Sequence, residues 1–477
     1  MTHQDEESVA ELNVIFDAQK QYVNFNMNPS LASRLDFLDR LEDLVLTIRH
    51  DITESLKDDF HHHDFRVTGI WELAGVVGRI KYVRKNLAHW MQGERRELSE
   101  TAQTGIAQVW YQPKGVVGNI VPWNFPGDIS FGPLVDILAS GNSCIIKPSE
   151  FAPATSEVIK NYIAEYFENY KVHVVNGGMK LSEEFSRKPW DHLLYTGSPE
   201  VAKIVMKAAA ENLAPVTLEL GGKSPAIIDC DSVSEVTFRD ILGVKSAKSG
   251  QVCITVDYLL VPKNELEKSL LLIEKVWTEM FPLFVESPQA AGIINLSSYN
   301  RLLSYIENSK LLGDRVLEIN SAREIASEIT RKFPFTLIVD PSENSDVMKN
   351  EIFGPILPIK TYSSLDEAIQ YVNSKARPLA LYIYSKNKDN CDYILENTLS
   401  GGASVNAAIG QAMHPSLPFG GVGGSGMGRH HGKEGFLEFS HIRSIFRASH
   451  VDEVSIARPP YSDELANAID EMLPWKS

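Results

Sequence analysis

Cysteine is scarce in this chain: four in 477 residues, at Cys144, Cys230, Cys253 and Cys391. They form no CxxC pair and no metal-ligand spacing, which argues against a disulfide framework and for a reducing compartment. Positive charge is also short. Lysine and arginine total 46 against 62 aspartate and glutamate, a formal charge of −16. Sequence-independent nucleic-acid binding sets lysine and arginine against phosphate, so no nucleic-acid partner is expected. No stretch approaches the roughly 18–20 apolar residues of a membrane span, so no integral membrane segment is expected. The opening MTHQDEESVAELNVIF is acidic, without the basic flank and apolar run of a signal peptide. Together these absences predict a cytoplasmic protein.

What is present reads as a soluble, folded chain. Hydrophobic residues make up 43% and charged residues 23%, ordinary for a globular protein, and the length calls for two or more domains. The first hundred or so residues place apolar side chains at helical spacing, as in SRLDFLDRLEDLVLTIRHDITESLKDDF. From residue 101 the texture turns β-branched and aromatic, and TGIAQVWYQPKGVVGNIVPWNF predicts a hairpin followed by a buried strand. Strand and helix signals then alternate through SCIIKP, SEVIKNYIAEYF, KVHVVNG, HLLYTGS and PEVAKIVMKAAAENL, the pattern of a doubly wound parallel sheet. A second α/β stretch begins near 220. After 401 the chain is rich in glycine, but Phe419, Met427 and Phe436 interrupt the run, so an ordered loop is expected.

Two short strings carry chemistry. ELGGKS (219–224) sets a carboxylate, Glu219, before a double glycine, and GQVC (250–253) sets a thiol, Cys253, where it could stand exposed. A thiolate adds to a carbonyl carbon, and a carboxylate can later activate water against the acyl group. A buried structural cysteine and a salt-bridged or capping glutamate are the plainer readings of either residue alone. Asn124, between Pro122 and Pro126, reads by itself as a turn residue. No GxGxxG follows the first βα strand, so the usual dinucleotide fingerprint is missing. HHHD (61–64) suggests a metal site at first sight. Adjacent histidines on a helix point in different directions, so surface histidines and no metal are expected.

Taken in order, PWNFP (122–126), KPSE (147–150), TGS (196–198), ELGGKS, GQVC and EIFGP (351–355) resemble the NAD(P)-dependent aldehyde dehydrogenase superfamily, over roughly residues 100–450. The resemblance implies Cys253 as nucleophile, Glu219 as general base for the deacylating water, and Asn124 as oxyanion donor together with the Cys253 N–H. It also implies a variant mode of cofactor binding. Lys147 and Glu150 would hold the adenosine ribose, and Gly197 and Ser198 would meet the pyrophosphate at a helix start. Glu351 would take the nicotinamide ribose and Phe353 would pack beside the ring, with Ile120, Pro122, Trp123, Val201 and Leu220 completing the cofactor surface. Either NAD or NADP is compatible with these residues, and Glu150 favours NAD.

Two departures from the family pattern stand out. Ala202 replaces a common glycine after TGS, implying a small shift in helix–cofactor packing, and His430 occupies an aromatic position at the substrate entrance. AAAENLAPVTLELGGKSPAI, GQVCITVDYLLVP and PFGGVGGSGMG are similar to the class 3 group, above all to coniferyl aldehyde dehydrogenases. That group implies a homodimer that oxidises aromatic or medium-to-long aliphatic aldehydes, with a fatty aldehyde as the alternative to coniferyl aldehyde. The expected architecture is a cofactor domain over 1–92 and 114–219 and a catalytic α/β domain over 220–401. A small β flap over 93–113 and 402–477 would serve oligomerisation. A CoA-acylating relative would dispense with Glu219. A cofactor-independent cysteine hydrolase would need a histidine base, and no histidine motif stands beside Cys253.

Overall fold

The computed structural model describes residues 3–98, 105–449 and 458–473. Helices dominate the first ninety residues because apolar side chains recur every three or four positions. Leu31–Thr47 shows the logic: Ser30 caps its start by accepting from Ser33 N–H, and Phe37, Leu38, Leu41, Leu44 and Val45 form one buried stripe. Burial of each such side chain contributes about 1.5–3 kcal/mol. Between Arg49–Phe60 and Gly75–Trp90 the helix widens into a π-helical stretch, Thr68–Ala74, which buries Glu72. Helical π-bulges recur at functional sites.

Three sheets follow. The first has six strands in the order Gly426–Met427, Val216–Leu220, His192–Gly197, Val116–Ile120, Ser143–Lys147 and Val172–Val174. Every pairing is parallel except that of Gly426–Met427 with Val216–Leu220. The chain winds outward from Val116–Ile120 to one side, then returns to begin the other side at His192–Gly197. The direction of winding therefore reverses between these two strands, whose carboxyl ends open a crevice. The second sheet has seven strands, ordered Arg315–Ile319, Phe335–Val339, Ile356–Tyr362, Tyr258–Pro262, Pro225–Ile228, Ala380–Tyr384 and Gly402–Val405, antiparallel only at its first pair. The expected α/β class, with a doubly wound parallel sheet, is what the chain forms.

Local expectations fared unevenly. Gly402–Val405 extends the seven-stranded sheet and Gly426–Met427 the six-stranded one, so a unit ending at 401 omits its last strand. The hairpin expected after 101 takes its first arm from earlier in the chain. Ile106–Pro113 pairs back to Glu94–Arg96 and forward to Ser440–Arg447 in a small antiparallel sheet. Parts of the expected flap (99–104, 450–457 and 474–477) lie outside the described residues. The HHHD run is not helical: helix Arg49–Phe60 ends before it, and His61 has a φ of 63°. Nor is it all surface, because His63 is only 3% exposed, with Nδ1 3.0 Å from the Thr68 hydroxyl. Among the described residues no cluster of acids, histidines and cysteines could hold a metal ion, and no helix is long and apolar enough to cross a membrane.

Candidate active site

The loop that carries Cys253 begins where helix Glu235–Ser246 stops. Lys248 and Ser249 take φ values of 45° and 55°, and Gly250 follows at 82°. A Cβ on Gly250 would collide with the Gly354 carbonyl oxygen, so the loop can lie against EIFGP only with glycine there. Gly250→Ala should therefore cost about 1–3 kcal/mol of stability and disturb the loop. A melting curve beside a rate measurement checks this, and an unchanged melt with parental activity would refute it.

Gln251 then ties the loop down. Its side-chain amide donates to the carbonyls of Lys248 (2.8 Å) and Gly292 (3.1 Å), while its oxygen accepts from Ile294 N–H (3.0 Å). Asn124, from the turn after strand Val116–Ile120, directs its side-chain amide to the Gln251 carbonyl at 3.2 Å. The structure thus brings Asn124 to the loop that carries Cys253. The thiol is half-buried, not freely exposed, and joins an apolar cluster with Phe125, Val252, Trp71, Ile129 and Phe419. Burial, reinforced by Glu351 and Glu219, pushes its pKa up to about 12. Such a thiol adds to a carbonyl only once its proton has left.

Glu219 is a second buried acid. It sits in strand Val216–Leu220, and both carboxylate oxygens are buried without a hydrogen-bond partner among the described residues. Burial holds its pKa well above the carboxylate range, Glu438 adds to the rise, and Arg429 opposes it. Nothing local anchors this carboxylate. Glu351, pushed up to about 8 by burial and by Asp257, lies against Gly221, where a Cβ would strike its carboxyl.

The remaining residues singled out from sequence line the carboxyl ends of the six-stranded sheet. Ile120 ends Val116–Ile120, with Pro122 and Trp123 just beyond; Lys147 ends Ser143–Lys147; Leu220 ends Val216–Leu220. Lys147 Nζ bonds the Glu150 carboxylate at 2.8 Å, so the lysine is interior and the glutamate faces solvent. Gly197 leads into helix Pro199–Ala210, where a Cβ would meet the Tyr195 hydroxyl, and Ser198 caps that helix by accepting from Val201 N–H at 3.4 Å. Val201 is 45% exposed at the rim. Trp123 and Phe353 meet edge to face, 5.4 Å between centroids, on the side of Glu351. The two departures prove to be interior features: Ala202 packs in a core cluster, and His430 is buried against Phe419.

These residues fit a dinucleotide. The crevice has a helix start capped by Ser198, a buried Thr196 hydroxyl without a partner among the described residues, and a carboxylate at the rim. Sequence reasoning missed Gln251 as the anchor of the loop, Lys248 and Glu72 behind it, and Glu438 and Arg429 near Glu219. SAKSGQVC offered the one signal, a lysine inside a tight turn.

The model of the aldehyde dehydrogenase family matches residues 5–445. The chain belongs to the aldehyde dehydrogenase family. It is 39% identical to the probable coniferyl aldehyde dehydrogenase of Caulobacter vibrioides, over 95% of both chains. It is 40% identical to the coniferyl aldehyde dehydrogenase of a Pseudomonas species, over 93% of this chain and 92% of that one. Among solved structures, the substrate-bound state of Staphylococcus aureus AldH superposes with a TM-score of 0.90 at 32% identity, covering 97% of this chain and 99% of that one. As a member of this family, the chain is an oxidoreductase that converts an aldehyde to its carboxylic acid with a nicotinamide cofactor.

Proposed function

We propose that this aldehyde dehydrogenase oxidises aromatic aldehydes, coniferyl aldehyde in particular, to the acid with NAD as the preferred cofactor. The observation that carries the reading is the Asn124 amide held against the Gln251-anchored loop that bears Cys253, which packs against an apolar cluster that includes Phe125, with Trp71 and Phe419 packed against the same cluster. Aromatic and apolar side chains there suit a planar ring and exclude water from the reacting carbonyl. The names of the two coniferyl aldehyde dehydrogenases point the same way.

In this reading Cys253 releases its proton to solvent and adds as the thiolate to the carbonyl carbon. Glu219, with its raised proton affinity, serves as the base for the water that attacks later. The Asn124 amide and the Cys253 N–H stabilise the oxyanion as preorganised neutral donors. When bound, the nicotinamide accepts the hydride that the oxidation releases. Trp123 and Phe353 would orient the ring, and Glu351 would hold the adjoining ribose. Lys147 positions Glu150 for the adenosine ribose, and the start of helix Pro199–Ala210 receives the pyrophosphate. Water activated by Glu219 then cleaves the thioester and frees the acid.

The same reading divides the chain. The six-stranded sheet and its helices bind cofactor, the seven-stranded sheet carries the nucleophile, and the small antiparallel sheet bridges two copies of a cytoplasmic homodimer. Steady-state kinetics over aromatic, medium and long aliphatic aldehydes with each cofactor test it. Coniferyl aldehyde is expected to give the highest kcat/KM, and a clear preference for long aliphatic aldehydes would move the assignment to a fatty aldehyde dehydrogenase.

Cofactor preference is expected to follow Glu150. A carboxylate that accepts from ribose hydroxyls repels a 2′-phosphate, a discrimination of about 1–3 kcal/mol. Glu150→Ser should narrow the gap in kcat/KM mainly by improving NADP. A parent enzyme that uses NADP better than NAD would remove Glu150 from this role.

A further inference from the structure

Five positions before the nucleophile, the Lys248 side chain is fully withdrawn from solvent, and so is the carboxylate it meets. That carboxylate belongs to Glu72, in the π-helical stretch Thr68–Ala74, and one of its oxygens accepts from Lys248 Nζ. The other oxygen accepts the backbone N–H groups of Gly127 and Asp128, both at 3.0 Å, in the first turn of helix Pro126–Ala139. Lys248 Nζ also donates to the Asn124 carbonyl and stands 4.2 Å from the centroid of the Phe125 ring. The circuit closes through the backbone: the Lys248 carbonyl accepts from the Gln251 side chain, and the Gln251 carbonyl accepts from the Asn124 amide.

We propose that Lys248 and Glu72 are positioning residues for the oxyanion site, locking the Asn124 turn to the nucleophile loop so that both donors aim at one point. The proposal rests on the reading of Asn124 as oxyanion donor and Cys253 as nucleophile. Apart from the bond between them, each hydrogen bond of the pair ends on a backbone group of the Asn124 turn or of the helix that follows it, and Lys248 itself belongs to the Cys253 loop. Glu72 fixes the helix start beside Asn124, and Lys248 fixes the Asn124 carbonyl from within the Cys253 loop. Stability alone is a weak reason for such a pair, because a buried ion pair can often be exchanged for apolar side chains at no loss. Preorganisation is a stronger one, since an oxyanion donor displaced by about 1 Å can forfeit a hundredfold in rate.

The test compares Glu72→Leu/Lys248→Met, Asn124→Ala and the triple variant with the parent. The measurements are melting temperature, NAD affinity by fluorescence quenching, and the rate of the first-turnover burst of reduced cofactor. The double variant is expected to melt within a few degrees of the parent and bind NAD within about threefold, yet to lose about 10²-fold in burst rate. Because the pair acts through Asn124, adding Asn124→Ala to the double variant should lower the rate little further. A folded double variant with a parental burst overturns the proposal, and so does a loss that multiplies with that of Asn124→Ala. If Asn124→Ala itself keeps the parental rate, the oxyanion reading fails and the proposal falls with it. If Asn124→Ala alone is down, the oxyanion reading stands and the positioning claim fails on its own. Should the double variant not fold, Glu72→Gln replaces it, isosteric and still an acceptor. It should melt near the parent with a burst about tenfold slower, and a parental burst there overturns the proposal.

Discussion

Cys253→Ala is expected to abolish aldehyde oxidation, a loss of at least about 10⁴-fold, while NAD binds within a few-fold of the parent. In the proposed cycle the thiol forms the bond to substrate, and none of the other three cysteines is suited to replace it. Cys144 is buried within a strand and burial pushes its pKa up further still; Cys391 is also buried. Cys230 is exposed, but it sits beside Asp229, whose charge and hydrogen bond raise its pKa. Cofactor affinity should survive because the crevice is built from the ends of other strands. Steady-state assays with a binding titration check both halves. Turnover above a few per cent of the parent's would remove Cys253 from the nucleophile's role.

Replacing Glu219 with Gln is expected to split the cycle. The first turnover should still deliver reduced cofactor, and hydrolysis of the thioester should then slow by about 10²–10⁴-fold. Rapid mixing would show a burst followed by a slow steady state. A parental steady state would mean that another group activates the water. The pH dependence carries a second signature. Glu219 acts as a base only when ionised, and burial raises its pKa, so hydrolysis should climb with pH through a value above the usual carboxylate range. That limb should vanish in the Gln variant. For stability the sign is opposite. A carboxyl whose pKa is raised by folding favours the fold while protonated, and that contribution is lost as pH rises from about 4.5 through the raised value. Glu219→Gln should therefore melt no lower than the parent at neutral pH, and at higher pH the difference should favour the variant.

The three residues proposed to do the chemistry could be singled out because each lies in a short string with turn-forming neighbours: Gly250 before Cys253, Gly221 and Gly222 after Glu219, prolines on both sides of Asn124. The parallel sheets were legible because strands buried on both faces read as unbroken apolar runs, as in SCIIKP and SPAIID. Pairing between distant segments was not. Ile106–Pro113 finds its partner more than three hundred residues later, at Ser440–Arg447, and nothing local in either strand names the other. Lys248 and Glu72 are 176 positions apart, and a lone glutamate in a helix gives no sign that its charge will be buried. His63 followed the same rule in reverse: three histidines in a row look solvated until the chain turns one inward after helix Arg49–Phe60. Local chemistry shows in a string, whereas burial depends on what the fold brings over it.

The central claim is that substrate passes through a thioester on Cys253 that Glu219 releases. The direct measurement is the intact mass of the Glu219→Gln variant, quenched in acid after mixing with coniferyl aldehyde and NAD, followed by peptide mapping. The account predicts one acyl group per chain, carried by the peptide that contains Cys253 and absent when NAD is omitted. A full burst of reduced cofactor from a protein of unchanged mass, or an acyl group on any other residue, would contradict it.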